Sequence, residues 1–279
     1  MSCYDLIMKG FLRRHYKKFL VVCVLVLIIW FSVRPSNERG WTLDQMVLPY
    51  SIREGNLVHI KNIRNFTYRT TKDYSPGYYE KTFALDKIKS VDFVIEPFSN
   101  AASAHTFLTF GFEGDHYISI SVEIRKEQGE TFSPWKGLLK RYELMYVIAD
   151  ERDVIKLRSN YRKDKVYLYP VKTTKEKMQA LFLDMLDRAN KLKEKPEFYN
   201  TLVNTCTTNI VGHVNQITPE RVPFSYKVLL PGYSDQLAYD LGLINTDLSF
   251  EKAREKFLIN DRAELYADSS DFSQKIRGN

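Results

Sequence analysis

Fifteen consecutive residues near the N-terminus, Phe19 to Val33, carry no charge, and no later run in the chain is as long and as apolar. At about 1.5 Å per helical residue they reach roughly 22 Å, short of a ~30 Å hydrocarbon core. Lys17 and Lys18 can extend toward the headgroups, and Tyr16, Trp30 and Phe31 suit an interface. Cleavage after Ser32 or Ser36 would put Trp30 or Arg34 where a signal peptidase needs a small residue. The run therefore predicts an uncleaved transmembrane signal anchor over 19–34, behind a basic N-terminal segment at 1–18.

Beyond it the pattern changes. Residues 35–56 mix Pro35, Pro49, Gly40 and Gly55 with polar groups and read as a tether, leaving 57–279 as a single domain. Alternation predicts strands over 91–96, 105–112 and 116–125, the last two joined through Glu113-Gly114-Asp115 as a hairpin. In 116–125, Ile118, Ile120, Val122 and Ile124 share one face, and Tyr117, Ser119, Ser121, Glu123 and Arg125 the other, more polar one. Further strands are expected at 142–149, 153–158 and 165–169. Thr173 with Glu176 predicts a capping box that opens a helix carrying Met178, Leu181, Phe182, Met185, Leu186, Ala189 and Leu192 at helical spacing. A second helix is predicted from Asn204 or Thr205, and others from Ser234 and Ser249. Strands followed by helices predict an α+β domain with an antiparallel sheet packed on helices.

Charge settles the compartment more than the partner. The chain of 279 residues has a net charge of +7, but Lys9, Arg13, Arg14, Lys17, Lys18 and Arg34 against Asp5 account for most of it. The rest is nearly neutral, which argues against a nucleic-acid partner. Basic residues before the span predict a cytoplasmic N-terminus and an exported domain. Of the three cysteines, Cys3 and Cys23 precede that domain and only Cys206 lies in it, so the domain forms no internal disulfide.

Cys206 is also the sharpest chemical feature. It stands in Asn204-Thr205-Cys206-Thr207-Thr208-Asn209, at the predicted start of a helix. There the macrodipole and free amides favour a thiolate and can donate to an oxyanion. The competing reading is a small buried core residue. A thiol nucleophile wants a base. His213 is seven residues further along the same helix, near 10 Å of rise and too far. His116 falls at a turn and His59 in a mixed segment. His105 opens a strand after the small-residue loop Ser99 to Ala104 and is the best-placed candidate. Glu123, on the paired strand, can orient the imidazole, or instead pair with Arg125 or Lys126. The run Ala149-Asp150-Glu151-Arg152-Asp153 reads as a structural ion-pair cluster. No metal-ligand spacing and no phosphate loop occurs, and no cofactor is expected.

Several stretches occur together in order: Ile63-Arg64-Asn65-Phe66, His105 to Phe112, Ser121-Val122-Glu123-Ile124-Arg125, Ala149 to Asp153, Phe198-Tyr199-Asn200-Thr201 with Cys206-Thr207-Thr208, and Leu229-Leu230-Pro231-Gly232. The set resembles the N-terminal periplasmic domain of the bacterial lipoprotein N-acyltransferase Lnb family over roughly residues 50–277. The resemblance implies a permuted papain-like (NlpC-like) thiol fold in which the His precedes the Cys, with Cys206 as nucleophile, His105 as base and Glu123 as a candidate third residue. It implies a periplasmic domain acting on a membrane lipid or lipoprotein as a thiol acyltransferase; with the anchor at 19–34 this predicts a single-pass protein of the bacterial inner membrane, its C-terminal domain in the periplasm. A thiol hydrolase of the cell envelope and a non-catalytic envelope module are the alternatives. Lnb enzymes carry further membrane helices after this domain, and no second apolar span follows Val33 in this sequence.

Overall fold

A computed structural model describes residues 3–278, with side-chain detail for 15–25, 28 and 30–278. Met1, Ser2 and Asn279, at the ends of the expected segments, and the side chain of Cys3 lie outside that description. The chain divides into two units, 1–36 and 37–279. The first holds helix α1 (Cys3–Ser32), which runs unbroken through the basic segment. Its stretch His15–Ser32 is long and apolar enough to cross a membrane.

The second unit is α+β. Its strands are β1 (Tyr50–Glu54), β2 (Leu57–Arg64), β3 (Thr67–Tyr68), β4 (Tyr74–Ser75), β5 (Tyr78–Ala84), β6 (Ile88–Pro97), β7 (Ala104–Phe112), β8 (His116–Arg125), β9 (Glu143–Asp150) and β10 (Tyr167–Pro170). Eight of them form one sheet in the order β1-β2-β9-β8-β7-β6-β10, with β5 also on β2; β3 and β4 pair separately. Every pairing in the large sheet is antiparallel except β2 with β9. The helices are α2 (Pro134–Leu138), α3 (Glu151–Lys156), α4 (Lys175–Glu194), α5 (Cys206–Ile217), α6 (Tyr226–Leu229), α7 (Ser234–Asp240), α8 (Phe250–Phe257), α9 (Asn260–Leu265) and α10 (Phe272–Lys275).

The sheet is covered on both faces. Ile118, Ile120 and Val122 of β8 pack with Phe182, Met185 and Leu186 of α4 and Ile210 of α5. On the other face Phe107 and Val147 pack with Val154, Ile155, Ala263 and Phe272. The face of β8 expected to be the more polar is therefore buried as well: Ser119, Ser121 and Arg125 are all shielded. Ion pairs satisfy the charges there. Arg277 holds Asp92 and Glu151, and Arg64 holds Asp153, which also accepts from Phe66 N and Tyr68 Oη. Glu151 and Asp153 of the 149–153 cluster thus find their ion-pair partners far away in sequence rather than within the run.

Three expected elements differ. Residues 153–158 are helical, not a strand. Asp150 accepts from Arg152 N at 3.0 Å and starts α3, which continues as a π-helical segment over Leu157–Arg162. The cap of α4 is Thr174, one residue later than read, accepting from Lys177 N. The stretch read as a tether is built into the domain: Trp41 is buried beneath Arg125, whose guanidinium lies 4.3 Å from the ring, and β1 joins the sheet edge.

Candidate functional site

The geometry around Cys206 begins with its helix. Thr205 and Thr208 form a reciprocal capping box at the start of α5. The box takes up the amides of Thr205 and Thr208 and leaves those of Cys206 and Thr207, the donors that an oxyanion would need. The preceding turn is held by Asn200 Oδ1, which accepts from Leu202 N and Val203 N, and by Asn209 Nδ2, which donates to Asn204 Oδ1. Cys206 is 7% exposed, and its thiol contacts the Thr207 hydroxyl at 3.8 Å.

Cys206, His105 and Glu123 line one cavity of about 240 Å³, together with Ala104, Phe132 and Tyr199. They reach it from two sides of the sheet. Thr106 Oγ1 and Thr207 Oγ1 are 3.1 Å apart, so α5 packs on the Thr106 face of β7. Side chains alternate along a strand, and His105 accordingly joins Ser121 and Glu123 on the opposite face, its ring stacked on Phe107. The ladder between β7 and β8 ends at the pair Phe107–Ser121. Beyond that pair the cavity opens between the strands. Cys206 and His105 share it without a hydrogen bond to each other. Such contacts are often long without substrate and tighten in the complex.

The imidazole is oriented by a relay that the sequence reading missed. His105 Nε2 lies 2.7 Å from Ser121 Oγ, and Ser121 Oγ donates to Glu123 Oε1 at 2.9 Å. A serine has one proton and an ionised carboxylate has none. Ser121 spends its proton on Glu123, so Nε2–H of His105 donates to Ser121 and Nδ1 keeps the lone pair. Glu123 itself is 3.8 Å from Nε2. Its partner is neither Arg125 nor Lys126 but Arg158, at 3.1 Å, from the π-helical segment. Arg158 also pairs with Glu96 at 2.8 Å, and Arg162 with Glu96 at 3.2 Å. Arg125 instead donates to Gln45 O, Met46 O and Asn37 Oδ1.

These neighbours fix the charge states. Burial would raise the Glu123 carboxyl, but Arg158, then His105 and Arg64, and the Ser121 hydrogen bond hold it well below the usual carboxylate range. Burial, then the Arg158 charge, pushes His105 down to about 4, against the pull of Glu123. His105 is thus a neutral base near pH 7. His213 is held elsewhere. Its Nδ1 meets Asp184 at 2.6 Å and its Nε2 meets Tyr146 Oη at 2.7 Å, which ties α5 to α4 and β9.

A pH dependence of stability follows. Folded His105 stays neutral down to about pH 4, whereas the unfolded chain takes up its proton below about 6.5. The unfolded state therefore binds more protons between those values, and stability falls as pH drops through that window, by about 3 kcal/mol at most from this residue. His213, lowered first by burial, acts in the same direction. Urea unfolding between pH 7 and pH 4.5 should show the loss, and His105→Gln should flatten it. Equal slopes in the two proteins would contradict the assignment.

No curated protein and no solved structure matches the chain. The sequence model of the Lnb N-terminal periplasmic domain matches residues 74–232, a span that holds His105, Ser121, Glu123, Arg158 and Cys206. More than half the chain lies within that match, and with the α+β sheet and the N-terminal apolar helix it makes this protein a member of the Lnb N-terminal periplasmic domain family, an envelope family.

Proposed function

We propose that the protein is a membrane-anchored thiol acyltransferase of the cell envelope, with Cys206 as nucleophile, His105 as base, Glu123 and Ser121 as orienting residues, and a lipid or lipoprotein as substrate. The observation that carries this is the shared cavity: a thiol at a helix start and a neutral, relay-oriented imidazole open into the same space. The order of His105 before Cys206 suits the permuted papain-like arrangement, which belongs to this proposal.

In the reaction, Cys206 Sγ attacks an ester carbonyl while its proton passes to Nδ1 of His105. The amides of Cys206 and Thr207 receive the charge that develops on the carbonyl oxygen. The C–O bond then breaks, the alcohol leaves with the proton from His105, and a Cys206 thioester remains. An amine attacks the thioester, gives a proton to His105, and departs as the amide while the thiol is restored. Glu123 stays ionised throughout and steadies the imidazolium through Ser121.

Transfer and hydrolysis differ only in the second acceptor. A purified preparation given a phospholipid and a peptide with a free N-terminal amine should produce the N-acyl peptide. Release of free fatty acid alone, at the same rate with and without the peptide, would replace the transferase with a hydrolase. No Cys206-dependent product at all would leave the domain a non-catalytic module.

A further inference from the structure

Exposed apolar side chains of the domain gather around the mouth of this cavity. Phe98 and Phe132 stand on its wall yet are 44% and 51% exposed. Trp135 and Leu139, on and just after α2, are 75% and 58% exposed, and Leu202 and Val203, in the turn before Cys206, are 53% and 74% exposed. Direct contacts join the segments that carry them. Thr201 Oγ1 donates to Pro134 O at 2.7 Å, and a Cβ on Gly137 would collide with Thr201 and press on Tyr199. Helix α2 and the turn over 199–203 therefore lie side by side. Phe132 stacks over Tyr142, whose hydroxyl donates to Thr131 O and accepts from Ser133 N. Phe98 and Phe132 on the cavity wall, with Trp135, Leu139, Leu202 and Val203 on the segments packed beside Tyr199 and Phe132, are more than the single exposed residues of an ordinary surface.

The chain enters the domain at this same end of the sheet. Asn37 bonds Arg125 at the end of β8, and Arg39 pairs with Glu127 and with Glu143 at the start of β9. Glu143 in turn bridges to Phe198, which leads into the exposed turn. Only residues 33–36 separate Ser32, the last residue of the apolar helix, from Asn37. Four extended residues reach about 14 Å. Lys136, Lys140 and Arg141 are interspersed with Trp135 and Leu139 along the segment. Aromatic and basic groups in that mixture suit the headgroup layer of an anionic bilayer.

We propose that this rim docks into a phospholipid surface, so that the cavity opens at the level of the lipid. Trp135, Leu139, Leu202 and Val203 enter the interface, and the neighbouring bases meet headgroup phosphates. The docking goes beyond the acyl-transfer reading and does not depend on it, because a protein without a working thiol carries the same rim.

The test uses the full chain in vesicles of phosphatidylethanolamine and phosphatidylglycerol whose acyl chains are brominated near the headgroup. In a Trp30→Phe background the emission comes from Trp41, which is buried, and Trp135. Bromines within ~10 Å of the interface should cut the Trp135 contribution to about half or less. Adding Trp135→Phe should remove the quenchable part, and Cys206→Ala should leave it unchanged, so that failure of docking and failure of catalysis are told apart. Equal emission in brominated and plain vesicles would overturn the proposal. Emission that instead shifts with the protein-to-lipid ratio, without quenching, would assign the rim to a second copy of the chain and overturn it as well.

Discussion

Cys206→Ala and His105→Ala should each lower covalent turnover by about four orders of magnitude or more, and the double variant should be little worse than either. The reason is that in the proposed reaction the two residues perform one step. A thiol without its base, or a base without its thiol, supports no attack, so removing the second group removes nothing further. Ser121→Ala and Glu123→Gln should behave differently. Both leave Nδ1 in place but lose the relay that fixes Nε2–H, which is observed as 2.7 Å to Ser121 and 2.9 Å onward to Glu123. They should retain part of the activity and show a changed pH profile, because the charge that steadies the imidazolium is gone or no longer connected. Single-turnover acylation and melting curves on all five variants check this. Near-normal turnover in Cys206→Ala would remove the enzyme reading. Additive losses in the double variant would mean that His105 and Cys206 act separately.

The largest loss of stability is expected from Arg158→Met. Glu96 is 0% exposed and Arg158 3%. Removing the guanidinium leaves Glu96 with only Arg162, which is 41% exposed, and leaves Glu123 without its nearest positive charge. Breaking a buried pair in this way costs about 3–5 kcal/mol, since the remaining carboxylate stays out of water uncompensated. For a domain of this size that corresponds to a fall in melting temperature of roughly 10 °C. The guanidinium also lies 4.8 Å from the Phe107 ring, so some packing goes with it. Loss of the Arg158 charge should in addition let the His105 pKa rise toward its ordinary value, which imidazole NMR titration can follow. Arg162→Met is the control and should cost under about 1 kcal/mol, as an exposed partner does. Equal melting temperatures for the two variants would show that the Glu96–Arg158 pair is not the keystone of this end of the sheet.

The elements legible in the sequence were those with a local signal. The β7–β8 hairpin announced itself by alternation around Glu113-Gly114-Asp115, α4 by its apolar stripe, and α5 by a cap at Asn204 or Thr205, of which Thr205 is the one the structure uses. The helix over 151–156 did not, because Val154, Ile155 and Leu157 fit a short strand as well as a buried helix. What decides it is the Asp150 cap together with burial on both sides, and burial comes from α9 and α10, a hundred residues later. The tether was misread for a similar reason. Trp41 is buried against partners far along the chain, Arg125 over its ring and Glu127 beside its backbone.

The site was legible in part on the same grounds. Cys206 stood out by its place at a helix start, and His105 and Glu123 by their places on paired strands. Ser121 and Arg158 did not. The small hydroxyls at Ser119 and Ser121, alternating with aliphatics, carried a weak hint that this face is buried rather than solvated. Arg158, between Leu157 and Ser159 in Val154-Ile155-Lys156-Leu157-Arg158-Ser159, carried another, since a charge that is buried with such neighbours needs a partner. Neither hint names the partner. Glu96 is 62 residues from Arg158 and Glu123 is 35, and no periodicity connects them. That His105 and Cys206 reach one cavity from opposite faces of β7 follows from the packing of α5 on Thr106, which no pattern along the chain encodes.

Mass spectrometry of the Cys206 peptide, from protein purified out of its own membranes without reducing agents, tests the thioester directly. The account predicts a fatty-acyl adduct on Cys206 that hydroxylamine removes and that is absent from His105→Ala. A Cys206 found only as the free thiol, both there and after incubation of the purified protein with phospholipid, would contradict it.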